Sequence, residues 1–151
     1  PNDIDVEDML ARSDELSTFV REATAEHQLD PDRIVALGYS NGANIALATL
    51  LAQPQLFHAA VLLRPVLYHK PDPLPELSGM DILALAGARD PYTPPEVLEE
   101  LASVLEQCHA NLDLQVNAAA GHQLAQADLV HAARWTEGLL ARIDAGDRSA
   151  T

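Results

Sequence analysis

The spacing of apolar positions along the chain switches between a helical and a strand period. Over residues 5–28, Val6, Met9, Leu10, Leu16, Phe19, Val20 and Ala23 recur at helical spacing and predict an amphipathic helix. Asp30-Pro31-Asp32 predicts a turn, because the residue before a proline is driven out of the helical region. Ile34–Leu37 is a short unbroken apolar run, the pattern of a strand buried on both faces. Asn41–Gln53, rich in Ala and Leu, predicts a buried helix, and Ala59–Leu63 a second buried strand. Pro65, Pro71, Pro73 and Pro75 exclude a regular element from residues 64–80. Ile82–Ala86 is a third buried run. Thr93-Pro94-Pro95-Glu96 then predicts a helix start, with Thr93 as cap, Pro94 at the first helical position and Glu96 closing a capping box. Val97, Leu98, Leu101, Leu105 and Cys108 form the apolar stripe of that helix. Leu112–Val116 alternates like a half-buried edge strand. Residues 123–143 close the pattern as a helix with a stripe of Leu129, Ala132, Ala133, Leu140 and Ile143, and Gly146–Thr151 are expected to fray.

Strands alternating with helices predict an α/β fold: a parallel sheet with helices on both faces, built from one domain spanning residues 1–151. A hydrophobic fraction of 48% supplies a core, and an aromatic fraction of 4% means that small aliphatic side chains fill most of it. The formal charge of −14 argues against nucleic acid as a partner, since it repels a phosphate backbone. With Cys108 alone there is no intrachain disulfide, which suits a cytoplasmic location. No apolar stretch reaches the ~18 residues of a membrane span. The acidic start Pro1-Asn2-Asp3-Ile4-Asp5 lacks the apolar stretch of a signal peptide.

Chemistry concentrates in Gly38-Tyr39-Ser40-Asn41-Gly42, a G-x-S-x-G segment between a predicted strand and a predicted helix. A sharp strand-to-helix turn would present the Ser40 hydroxyl at the carboxyl edge of the sheet, with Gly38 and Gly42 leaving room for the backbones to pass. Serine needs a base to become a nucleophile. His122 follows the last strand in a loop of small residues. His27, His109 and His131 lie in or at the ends of helices, His58 precedes a strand, and His69 precedes the acid in sequence. The acid should leave the carboxyl end of an intermediate strand, where Asp90 stands. Asp81 would lie at the opposite edge, and Asp72 in the proline-rich loop is the weaker alternative. Val66, Leu67 and Tyr68 follow a strand's carboxyl end and are expected to line an apolar acyl site near Ser40. Tyr92, beside the acid loop, and Tyr39, beside the serine, are counted with them as substrate-binding residues.

Three segments carry a resemblance. Leu37–Ala46 resembles the nucleophile elbow of the bacterial phospholipase/carboxylesterase family of α/β-hydrolases, Ala86–Pro91 its acid segment, and Gly121-His122-Gln123-Leu124 its histidine segment. The resemblance implies a serine hydrolase acting, without cofactor or metal, on carboxylic esters with small or medium acyl groups. Ser40 would be the nucleophile, His122 the base, Asp90 the orienting acid, and the backbone N–H of Asn41 one oxyanion donor. Thioesters or lactones would suit the same triad. A degenerate, non-catalytic binding module is the reading from another class. Members of that family begin with about four further strands, one of whose loops supplies a second oxyanion donor. The chain is therefore expected to be the C-terminal portion of a longer enzyme. Alone it should expose a strand edge, self-associate there, as a homodimer among other forms, and turn over slowly.

Overall fold

The computed structural model describes residues 4–146, so the expectations for Pro1–Asp3 and for the tail beyond Gly146 lie outside the described residues. Helix α1 (Val6–Glu26) starts on Asp5, whose side chain accepts from the Asp8 N–H, the N-cap bond that Asp is suited to make. A short 3₁₀ turn at Pro31–Arg33 leads into β1 (Val35–Tyr39), α2 (Asn41–Ala52) and β2 (Ala59–Leu63). The chain continues through β3 (Asp81–Gly87), α3 (Pro95–Gln107), β4 (Asn111–Asn117) and α4 (Gln126–Asp144). The four strands lie in chain order and every pair is parallel, as the alternating pattern predicts.

Two apolar layers sandwich the sheet. On one face, Ala36, Ala60, Leu62 and Ile82 pack with Ala46, Leu47 and Leu50 of α2 and with Leu101, Val104 and Leu105 of α3. On the other, Val61, Leu63, Leu83 and Leu85 pack with Ala132 of α4, and Trp135 lies against them. Strand β2 is buried at every position and β4 is half-exposed, matching central and edge places. Strand β1 pairs only with β2 among the described residues, and Leu37 on it is 71% exposed.

Several local expectations fail for physical reasons. Thr93 does not cap α3: Pro94, extended at ψ 163°, holds the cap position, the helix begins at Pro95, and the Thr93 hydroxyl is buried without a partner. The α4 helix starts three residues later than predicted, and its buried side is Asp128, Ala132 and Leu139, while Leu129 and Leu140 face outward. In α1, Phe19 is exposed and Ser13 and Ser17 are buried instead. Small hydroxyl residues let α1 approach α2 closely, and Thr49 Oγ1 donates to Ser13 Oγ at 3.0 Å across the seam.

The glycines of the elbow are not equivalent. A Cβ on Gly38 would lie 2.5 Å from the Gly42 carbonyl carbon and oxygen, so β1 and α2 meet only because residue 38 has no side chain. A Cβ on Gly42 would meet nothing within 4 Å, so the steric reading of that position is corrected. Gly38→Ala is expected to destabilise by about 1–3 kcal/mol through overpacking. Gly42→Ala, inside a helix, should stabilise by about 0.5–1 kcal/mol. Thermal unfolding of the two variants checks this contrast, and equal shifts would contradict it.

Candidate active site

Strand β1 hands directly to α2 at Ser40, which adopts φ 54° and ψ −119°. A non-glycine residue in such a conformation costs on the order of 1–3 kcal/mol and persists only where its surroundings hold it. Here the Ser40 N–H donates to Leu63 O at 2.8 Å, and Ser40 O accepts from the Asn44 N–H at 3.0 Å. The buried Asn44 side chain also accepts the Val66 N–H at 2.8 Å, fixing the segment after β2 against the elbow.

The loops after β3 and β4 are laced together. Ala88 N–H donates to Asn117 O and Arg89 N–H to Ala120 O, both at 2.9 Å. A Cβ on Gly87 would lie 2.4 Å from Gly121 O, so this approach requires glycine there. The carboxylate of Asp90 is buried. Its Oδ1 accepts the Tyr92 N–H at 2.9 Å, leaving Oδ2 facing His122 Nδ1 at 2.9 Å. The other ring nitrogen, His122 Nε2, is 2.9 Å from Ser40 Oγ. The structure thus brings Ser40, His122 and Asp90 into one continuous line at the carboxyl edge of the sheet. Asp81 begins β3 at the opposite edge, bonded to Arg142 and Asn111, and Asp72 is exposed.

A cavity of about 250 Å³ opens beside Ser40 and His122, with Asn41, Val66, Tyr68 and Tyr92 among its lining. Asn41 is the first residue of α2, so its N–H precedes the helix's own hydrogen-bond ladder. Leu67 is not in this lining. It packs against the core layer that holds α2 and α3, so its expected place in an acyl site is corrected: Val66 and Tyr68 flank it on the cavity side. Tyr39 is also absent from the lining. Its hydroxyl donates to His122 O at 3.2 Å and its ring lies 5.7 Å from the imidazole. Tyr92 does line the cavity, and its ring meets the imidazole edge-on at 5.0 Å. Burial, reinforced by the charges of Tyr92 and Asp90, raises the Tyr68 phenol above its usual range and keeps it a neutral donor. Among the described residues no cluster of three or more His, Cys, Asp or Glu is arranged to hold a metal ion.

Sequence reasoning missed Asn44, Arg64 and Ile4, which also border the cavity. Arg64 is fully buried and ion-paired to Asp128 at 2.5 Å. For Asp128, burial pushes the carboxyl upward, but the Ala125 N–H, the Arg64 guanidinium and Asn117 together hold it below its ordinary value of 3.8. A lowered folded pKa means the pair contributes its full stability above that value and loses it as pH falls below. Melting temperature is therefore expected to drop steeply below about pH 4, and Asp128→Asn should flatten that drop. A wild-type slope kept by the variant would contradict the assignment.

Residues 10–72 match the profile of the prolyl oligopeptidase family. The chain is 34% identical to MhqD of Bacillus subtilis (strain 168) over 131 residues, which are 87% of this chain and 65% of MhqD. The carboxylesterase of Bacillus cereus superposes with a TM-score of 0.83 at 36% identity, covering 89% of this chain and 63% of that one. A carboxylesterase from Mesorhizobium loti gives a TM-score of 0.76 at 31% identity, over 86% of this chain and 61% of its own. The chain thus spans just under two thirds of the length of these relatives. Among the described residues no helix is long and apolar enough to cross a membrane. The strand order, the elbow and these matches give the described residues the α/β-hydrolase fold.

Proposed function

We propose that this chain carries the catalytic machinery of a carboxylesterase-type serine hydrolase, similar in pattern to the bacterial phospholipase/carboxylesterase family. The observation that carries the proposal is the line from Ser40 Oγ through the His122 ring to Asp90 Oδ2, with both links at 2.9 Å. That is within the ~2.6–3.2 Å reach required of a nucleophile and its base. Asp90 accepts the His122 Nδ1–H and so fixes the tautomer in which Nε2 is free to take a proton. Ser40 Oγ attacks the ester carbonyl carbon as its proton passes to Nε2. The resulting oxyanion lies at the start of α2, where the Asn41 N–H can donate to it, aided by the positive end of the helix. Collapse of the tetrahedral species breaks the bond to the alcohol oxygen, which takes the proton from Nε2. Water, deprotonated by the same nitrogen, then releases the acid from the acyl-serine.

The small cavity, lined in part by Val66 and Tyr68, supports short acyl groups. The carboxylesterase neighbours support esters as the substrate class. The prolyl oligopeptidase match ends at residue 72, before Asp90 and His122, so it supports the shared serine chemistry without favouring peptides.

A panel of p-nitrophenyl esters of graded acyl length, with matching thioesters and lactones, tests the reading on the purified protein. Short esters should be the best substrates, and Ser40→Ala or His122→Ala should cut kcat by ~10⁴-fold or more. Tyr68→Ala should shift preference toward longer acyl chains, while Leu67→Ala should lower the melting temperature and leave the preference unchanged. Ester turnover that survives Ser40→Ala would overturn the proposal.

A further inference from the structure

Arg64 is an expensive residue to place where it stands. It follows the last residue of β2 with φ 57°, and its guanidinium is wholly buried, although burying a charge costs several kcal/mol unless its partners are well arranged. Four acceptors surround it. Nε donates to Gly121 O at 2.8 Å and Nη2 to Gln123 O at 3.2 Å, so one edge of the planar group clasps the two carbonyls flanking His122. Nη2 also meets Asp128 Oδ2 at 2.5 Å, in the first turn of α4, and Nη1 donates to Leu85 O at 3.1 Å, on the strand leading to Asp90. Its own N–H donates to Leu85 O at 2.7 Å, and the preceding Leu63 O holds the strained Ser40 N–H. One side chain, carried at the end of the strand beside the elbow, therefore touches the strand that delivers the acid and both sides of the histidine. With the Tyr39 hydroxyl on His122 O, three successive carbonyls of the histidine loop are held.

We propose that Arg64 is a positioning residue. Anchored by Asp128, it clamps the backbone on either side of His122 and so sets the imidazole between Ser40 and Asp90. The rigid fork is what this task requires: a lysine ammonium could face Asp128, but as a point charge it could not clasp two carbonyls in one plane. Asp128 has a second task that links the clamp to the helix, because its Oδ2 also accepts the Ala125 N–H at 2.8 Å at the start of α4. The proposal rests on the serine-hydrolase reading for its kinetic consequence, and on geometry alone for its structural one.

The test compares Arg64→Lys, Arg64→Met and Asp128→Asn with the wild-type full chain, well below their melting temperatures. Two readouts are taken: steady-state hydrolysis of p-nitrophenyl acetate, and the far-downfield proton NMR resonance of the His122–Asp90 hydrogen bond. Arg64→Lys is expected to keep most of the melting temperature but to lose about 10²-fold in kcat, the scale of a misplacement near 1 Å, with KM little changed. It should also weaken or abolish the resonance. Arg64→Met should lose at least as much, and Asp128→Asn less, since the clamp on Gly121 and Gln123 survives it. A folded Arg64→Lys variant with wild-type kcat and an intact resonance would overturn the positioning role, whatever its melting temperature. A wild-type protein that hydrolyses no ester, yet loses the resonance in Arg64→Lys, would overturn the esterase reading and leave the clamp standing.

Discussion

Val35, Ala59, Asp81 and Asn111 stand level with one another in four strands that all run the same way. From that register, everything that follows a strand leaves from one edge of the sheet. Ser40 follows β1, Arg64 follows β2, Asp90 follows β3 and His122 follows β4. Ser40 and His122, 82 positions apart in sequence, meet because parallel strands need helical crossovers to return them to the same side. Reversing one strand would carry its loop to the far edge and remove its side chain from the site.

The convergence is held against real costs. Ser40 and Arg64 both occupy left-handed backbone, and a charged pair is buried beneath the histidine loop. Close approach replaces bulk with absence at Gly38 and Gly87, where a Cβ would collide with backbone from α2 and from the loop before His122. The rigidity that holds these features comes from the two apolar layers, in which β2 and β3 are nearly fully buried on both faces. Strain is thus stored at the edge of a sheet whose centre is densely packed, an arrangement in which active-site geometry can be fixed before substrate arrives.

Much of this was legible in the sequence because it depends on local pattern. Unbroken apolar runs gave the buried strands within one or two residues of their bounds, and G-x-S-x-G between a run and an Ala-rich stretch marked the elbow. Asp90 and His122 could be placed because each follows a strand's carboxyl end, which topology puts at one edge. What pattern cannot carry is which way a side chain turns outside a regular element. Val66, Leu67 and Tyr68 are consecutive, and the middle one turns into the core. Tyr39 reads as a substrate contact, yet it lies outside the cavity and braces the imidazole, while Tyr92 lines the cavity and meets the imidazole as well. Thr93 satisfies a capping pattern, but two prolines delay the helix past its reach. Arg64 carried no signal, since a lone arginine before a proline is ordinary until its four acceptors, up to 64 residues away, are assembled around it.

The central claim is that the geometry at the sheet edge makes Ser40 a nucleophile that depends on His122. A fluorophosphonate captures such a serine covalently, and peptide mass spectrometry locates the adduct. The account predicts one phosphonyl group on the peptide that contains Ser40, formed rapidly in the wild-type protein and lost or greatly slowed in His122→Ala. A protein that takes up no label, that is labelled at another residue, or whose Ser40 reacts equally fast without His122 would contradict it.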